Sequence, residues 1–538
     1  MTYRFLFTAA STFCLTFGFL PERLPGEALP VRTVPQPQKM RQFFTLDDPR
    51  IPRELMEAPA PLPLGNPPVL CLATDGAVWM GQSEGLTRLD PKAAPRDRIQ
   101  YLHGPRYLPD NEVLNLRADS SGGMWVRTRT GAAHIELVPM TLEQKAKHFE
   151  ERIRARHDRH GLVSPSRLLR PGDLQSNQMR DDDNDGLWTA IYVAAECFRY
   201  AVTQSPEALA AAKKSMEAML FLEEVAGRRG FPARSYIRKG EPMPRGGEWH
   251  WTSDGEYYWK ADTSSDEIVG HFFAFGLAYD LLPDPLLKQR IRETAARIMD
   301  HILQNGYELI DLDGKPTRWG HWNRAYFDTE PGEGPLNGMQ LLSFLKTTAH
   351  LTGKARYEEE YQKVGRQLGY FELMLRLKEL REELNYSDEE LAMLPFYSLL
   401  RYEKDDGIRR RYILPAMGLW WENIVREDCP LWTFIYAFGD PKACPPLDGA
   451  VRTLYRTPMD TIFWTVRNSH RADILWAKEP DRFGKRQALT LLPPDERPAI
   501  KWNANPFVVD SEGGGSGEED GAAFLLPFWM GRYHGFLK

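Results

Sequence analysis

From residue 141 onward apolar residues recur at helical spacing. The pattern predicts amphipathic helices near 141–157, 187–203, 206–226, 266–281, 285–304, 337–352, 355–381, 388–403, 407–426 and 430–438. Ser265 ahead of Asp266 and Glu267 supplies a start signal, Asn337 opens another helix, and Pro206 and Pro285 stand where a first helical turn tolerates proline. Less regular helices after 446 bring the count close to twelve. The loops between them alternate in length. Long ones occupy 159–185, 227–265 and 305–336, and short turns fall near Thr203–Pro206, Leu282–Pro285 and Thr352–Lys354. Helices joined in this way run up and down as neighbours, so the long loops all emerge at one end.

Ahead of the helices the pattern shortens to strands. Residues 68–138 hold an internal near-repeat. One copy runs from Val69 through Asp75, Gly76 and Trp79 to Gly85 and Asp90. The other runs from Val113 through Asp119, Gly122 and Trp125 to Gly131 and Glu136. Trp79 to Trp125 and Gly85 to Gly131 keep one period of 46 residues, a length typical of propeller blades. The order Asp, Gly, Trp and a later Gly resembles the two-component regulator propeller repeat. That resemblance implies a hairpin turn at Asp-Gly and a Trp packed between blades. Two copies fall short of a propeller, which needs at least about four blades, so a β-rich segment packed against the rest of the chain is expected.

The flanks carry weaker signals. Residues 1–20 read as an export signal or anchor, with Arg4 ahead of the uncharged run Phe5–Leu20. A secreted or periplasmic protein is expected, free of the membrane once the signal is removed; the alternative is a chain anchored by that segment. Residues 21–67 are rich in Pro and Leu and read as a linker or extended wrap. Residues 461–538 mix short strands and turns, with a Gly-rich acidic loop at Ser511–Gly521 expected to be mobile and an apolar tail from Phe524 to His534 expected to dock on the helices.

Composition narrows the function. A net charge of −6 argues against a nucleic-acid partner. The chain holds 15 Trp, 21 Tyr and 26 Phe, with much of that excess in the long loops rather than the helices. The five cysteines show no metal-site spacing, and pairing of Cys429 with Cys444 stays open. There is no phosphate-binding glycine loop, no Gly-x-Ser-x-Gly elbow and no His-Glu-x-x-His motif.

The long loops hold the candidate chemistry. The first ends in Asp181, Asp182, Asp183, Asn184 and Asp185, more acids than a helix cap and dipole require. Mutual repulsion raises at least one of them, as a general acid needs. Asp181, Asp183 and Asp185 also imitate a calcium loop, but Tyr192 stands where the bidentate Glu belongs. The second loop gathers Trp249, Trp251, Trp259, Asp262 and Asp266. Aromatic faces suit sugar rings and carboxylates suit hydroxyls. The third carries His321, Trp322, Arg324, Tyr326, Glu330 and Glu333.

Nearly twelve antiparallel helices with one-sided long loops resemble the six-hairpin glycosidase superfamily and the related toroidal polysaccharide lyases. The fold expected is mainly α: an (α/α)6 toroid over about 141–460, with an N-terminal β-rich propeller-like segment and a mixed strand and turn C-terminal part. The resemblance implies an exported carbohydrate-active enzyme on an oligo- or polysaccharide, foremost a glycoside hydrolase with a carboxylate pair at the toroid mouth. Asp185 and Asp266 lead as that pair, with Asp183, Asp262 and Glu333 as rivals. Trp249, Trp251, Trp259, His321, Trp322, Arg324 and Asn337 form the expected substrate-binding set, and no cofactor is expected beyond the calcium alternative. A lyase on the same fold would use His321 or Tyr326 as base and Arg324 to hold a uronate, against the repulsion of the surplus aspartates. A non-catalytic glycan-binding or sensor protein is the remaining class.

Overall fold

The computed structural model describes residues 30–56, 68–244, 246–380, 386–443 and 446–538. The expected export segment and Cys444 lie outside them. Among the described residues twelve helices have eight residues or more: α1 Leu142–Arg156, α2 Asp185–Thr203, α3 Pro206–Val225, α4 Ser265–Leu281, α5 Pro285–Gln304, α6 Gly334–Thr352, α7 Ala355–Gln362, α8 Asp388–Tyr402, α9 Leu414–Ile424, α10 Pro430–Gly439, α11 Asp448–Arg456 and α12 Ala522–Tyr533. Their starts follow the local chemistry. Ser205 accepts from the Ala208 N–H ahead of Pro206, and Asp284 accepts from Leu286 and Leu287 ahead of Pro285. Thr141 and Gln144 form a reciprocal capping box on α1.

The even-numbered helices close a ring. α2 packs on α4, α4 on α6, α6 on α8, α8 on α10, α10 on α12, and α12 returns to α2. The odd-numbered helices lie outside, α3 against α2, α5 against α4 and α6, and α1 against α12. Burial agrees with this division. α4 is buried continuously from Glu267 to Ala278, whereas α5 buries a single stripe that includes Leu287, Ile291, Ala295, Ile298 and Ile302. α2 and α4 approach so closely that a Cβ on Gly270 would stand 2.8 Å from the Leu187 Cα. This is an (α/α)6 toroid, with all six inner helices pointing the same way.

The toroid reaches past residue 460. The apolar tail expected to dock on the helices is α12, the sixth inner helix, and without it the ring stays open between α10 and α2. The segment 457–521 crosses the end of the toroid before reaching α12. Its acidic Gly-rich loop, expected to be mobile, is held in place: Ser511–Glu512 pairs with Thr465–Val466, and Gly517–Glu518 pairs with Ser166–Arg167. Glu518 is buried against Arg156 at 2.8 Å and His157 at 3.3 Å. Burial alone would raise its carboxyl, but the hydrogen bonds from His157 and Arg156 hold it at about 2.

Among the described residues eight strands precede α1: β1 Gln36–Phe44, β2 Val69–Leu72, β3 Val78–Gln82, β4 Gly85–Leu89, β5 Ile99–Leu102, β6 Val113–Ala118, β7 Met124–Thr128 and β8 Ala132–Met140. They form two antiparallel sheets, β2-β3-β4-β5 and β1-β8-β7-β6. The sheets stack through Trp79, Leu86, Leu102, Leu116, Met124 and Val126, and they close no propeller. Trp125 faces away from that core, stacked on His134 with centroids 4.2 Å apart. Gln36–Phe44, expected within a linker, is instead an edge strand paired with β8 along its whole length. Its one proline, Pro37, is tolerated because only one side of the strand is paired.

Candidate active site

Because the inner helices are parallel, their N-termini and the long loops share one mouth. Backbone N–H groups at six helix starts make that mouth electropositive before any side chain is counted. Carboxyl groups then line it from four of the six: Asp181 and Asp182 ahead of α2, Asp266 on α4, Asp388 and Glu390 on α8, and Glu519 ahead of α12.

The expected acids of the first loop part company. Asp185 has no exposed surface, and its carboxylate sits 2.5 Å from Arg159 Nη2 with Ser235 Oγ donating to the same oxygen. Burial raises this carboxyl and Arg159 limits the rise. It anchors the start of α2 and is not presented to the mouth. Asp183 is exposed but paired with Lys260 and, at 3.1 Å, with Arg234. Burial opposes the shift, yet those cations hold it below the usual range. Asp181 is half-buried and raised by burial. Asp181, Asp183 and Asp185 therefore do not converge, and the described residues contain no cluster of three such ligands able to hold a metal. Asp182 is half-buried and accepts from the Trp188 indole at 2.9 Å.

Arg234, unremarked in the sequence, organises this corner. It donates to the Asp183 carbonyl at 2.9 Å, to Asn184 Oδ1 at 2.7 Å and to the Asp262 carbonyl at 3.2 Å. Asp262 itself accepts from the Arg318 N–H at 2.9 Å, a loop-bracing contact. Asp266 is half-buried at the mouth. Burial raises its carboxyl, with Arg234 pulling the other way. Beneath it Glu267 is fully buried, with neither carboxyl oxygen hydrogen-bonded among the described residues, and burial pushes it well up.

The aromatic set divides as well. Ser235–Arg238, Tyr257–Lys260 and Trp249–Trp251 form a small sheet. Trp259 points inward and is core, and Trp322 is core too, its indole donating to Gln340 Oε1 at 2.9 Å. Neither offers a face to a sugar. Trp249 is half-buried and stacked on Tyr258, and Trp251 is 49% exposed beside the same ring. His321 stacks on Tyr326 at 4.5 Å and contacts Glu308 at 3.1 Å through Nδ1. Asn337 is buried and donates to the His321 carbonyl at 3.0 Å, so it braces the loop. Arg324 is exposed, and Glu333 is half-buried just before α6. His470 and Arg471, in the crossing segment, face the β-sheets instead, on Tyr101 and Glu496.

Three mouth residues had no signal in the sequence beyond their charge or ring. Glu519 is half-buried, has one oxygen without a hydrogen bond, and is pushed up to about 7 by burial, with Lys501 opposing. Glu390 is buried, accepts from the Trp502 indole at 2.5 Å, and is pushed up to about 7 for the same reason. Lys501 is delivered by the crossing segment and lies over Trp188. These carboxyls stay near neutrality despite the helix N-termini, so burial outweighs the dipole. A cavity of about 780 Å³ lies elsewhere, between β1, the β4–β5 connection and α11. Its Lys39, Arg96, Arg452 and Arg456 are ion-paired.

No family model matches the chain, and no curated protein matches it. Several solved structures do. A single-mutant thermostable endoglucanase from Alicyclobacillus acidocaldarius aligns at 11% identity over 86% of this chain and 97% of its own, with a TM-score of 0.39. A family 76 glycoside hydrolase from a bovine Bacteroides thetaiotaomicron strain aligns at 10% identity over 84% and 95%, TM-score 0.40. A metagenome-derived glycoside hydrolase family 9 endoglucanase aligns at 12% identity over 94% and 99%, TM-score 0.35. No described helix is long and apolar enough to cross a membrane.

Proposed function

We propose that this chain is a glycoside hydrolase working at the toroid mouth, with Glu519 as proton donor and Asp182 as the partner carboxylate. The observation that carries this is the state of Glu519: a half-buried carboxyl pushed up to about 7 by burial, with one oxygen unpartnered, and raised further by the nearby Asp520 and Asp182 charges. A carboxyl poised there holds its proton at neutral pH and gives it to a leaving glycosidic oxygen. Asp182 sits at the start of the adjacent inner helix, oriented by the Trp188 indole, and activates water or attacks the anomeric carbon. Asp266, raised but accessible, is the rival for that second role. Asp185 is withdrawn from the catalytic pair because it is fully buried on Arg159. Trp249 and Trp251 supply ring faces beside the mouth.

The test is a polysaccharide panel read for new reducing ends and for the absorbance of unsaturated uronates. Reducing ends without that absorbance are expected. Glu519→Gln and Asp182→Asn should each lower the rate by ~10²–10⁴-fold with the melting temperature kept. Asp266→Asn causing that loss in place of Asp182→Asn would reassign the second carboxylate. Unsaturated products would mean a lyase. Saccharide binding without cleavage would make the protein a glycan-binding one.

A further inference from the structure

Lys501 is a largely buried side chain whose ammonium has no acceptor among the described residues. Only 7% of the residue is exposed, and its Nζ stands 3.1 Å from the centroid of the Trp188 ring. Among the described residues no hydrogen-bond acceptor reaches it and no carboxylate stands at ion-pair distance. An ammonium has three donors, and here the ring face is the one protein group among the described residues that meets it; its Nζ keeps contact with solvent, so a carboxylate can reach it. Its neighbours are already occupied. Arg159 is taken by Asp185, while Arg234 and Lys260 are taken by Asp183. The Asp182 and Glu390 carboxyls are turned to the indoles of Trp188 and Trp502. Lys501 therefore stands at the mouth without an ion-pair partner among the described residues, within electrostatic reach of Glu390 and Glu519 and of helix N-termini of its own sign.

We propose that the mouth takes an acidic saccharide and that Lys501, seated on Trp188, receives its carboxylate. This rests on the hydrolytic reading and names its substrate class. The run of aspartates that argued against an anionic polymer is weaker in the fold than in the sequence. Asp183 and Asp185 are neutralised by cations, and Glu519 and Glu390 are held near 7 rather than fully ionised. An incoming carboxylate would meet one unpaired ammonium and form charge-assisted hydrogen bonds with it.

The experiment is calorimetric titration of the full chain at pH 7. The ligands are oligomers of glucuronic, galacturonic and mannuronic acid, each beside its carboxyl-reduced neutral form. One uronate is expected to bind at least about tenfold more tightly than its reduced counterpart, which is the scale of one charge-assisted contact. Lys501→Met should abolish that preference and Lys501→Arg should keep it. Equal binding of the two forms by the wild type, no binding of any uronate, or a preference that survives Lys501→Met overturns the proposal. If Lys501→Met does not fold, the wild-type comparison decides alone. Cleavage of a neutral polysaccharide with no uronate preference would sink this inference and leave the hydrolase standing. Tight uronate binding with no cleavage of any polymer would do the reverse.

Discussion

The segment 457–521 touches the rest of the molecule in two places that treat charge in opposite ways. At the seam with the β-sheets an ion-pair network joins buried charges. Arg456 reaches Asp97 at 2.7 Å, Asp495 at 2.8 Å and Glu496 at 2.8 Å, and Lys39 also pairs with Asp495. Burial would raise the Asp495 carboxyl, but Arg456 and Lys39 hold it far below the usual range. A few residues later the same segment enters the toroid mouth, where Lys501 has no acceptor and Glu390 and Glu519 sit near 7. Structural charge is satisfied within the fold, and charge that waits for a ligand is not. Titratable groups shifted by burial without an ion-pair partner therefore mark the site better than the density of acids along the chain.

The largest effect should come from breaking the satisfied side. Arg456→Met leaves Asp97, Asp495 and Glu496 short of their cation and is expected to destabilise the protein by ~3–5 kcal/mol, read as a lowered urea midpoint. A shift near zero would mean that the seam carries no structural weight. On the mouth side Glu390 titrates at about 7 against 4.5 for an ordinary glutamate. The fold thus favours its protonated form, a contribution fully present below pH 4.5 and lost as pH rises through 7. Glu390→Gln does not titrate, so its melting temperature should gain on the wild type between pH 5 and 8, by the equivalent of roughly 3 kcal/mol. A difference flat in pH would refute the shift.

Smaller effects sharpen the boundary between the two regimes. A Cβ on Gly186 would stand 1.9 Å from Glu267 Oε2, so Gly186→Ala is expected to cost ~1–3 kcal/mol. Adding Glu267→Ala should make the pair less damaging than the sum of the singles, because the clash is with that carboxyl. The smallest change is expected at Trp251, half-exposed on Tyr258. Trp251→Ala should move stability by no more than ~0.5 kcal/mol while weakening saccharide binding, and a large stability loss would place it among the packing residues.

Much of the toroid was legible because long periodic helices with Pro and Ser or Asp at their starts leave strong local signals, as at Ser205–Pro206 and Asp284–Pro285. α12 was missed because it is apolar on all sides and carries Pro527 within it, so no stripe stands out. β1 was missed because Gln-Pro-Gln-Lys-Met-Arg-Gln is polar on both faces, as an edge strand can be. The site was legible as a neighbourhood and not as a set of roles. Nothing near Asp185 in the chain announces that Arg159 will neutralise it. The inward turn of Trp259 depends on which face of its hairpin meets the core. Glu519 lies in a stretch whose glycines suggest mobility, and the pairing of Gly517–Glu518 with Ser166–Arg167 is a contact across more than 300 residues that only the fold supplies.

The late position of α12 also sets a timetable for synthesis. When α2 leaves the ribosome, the neighbour that covers one of its flanks is still more than 300 residues from being made. At ~5–20 residues per second that flank of α2 stays uncovered for tens of seconds. Docking of α12 then completes two closures together, since the Val31 N–H bonds to the Phe536 carbonyl and the Lys538 N–H returns to the Val31 carbonyl. A ribosome stalled anywhere before that point holds a barrel with a missing stave, a natural client for chaperones that recognise exposed apolar helices.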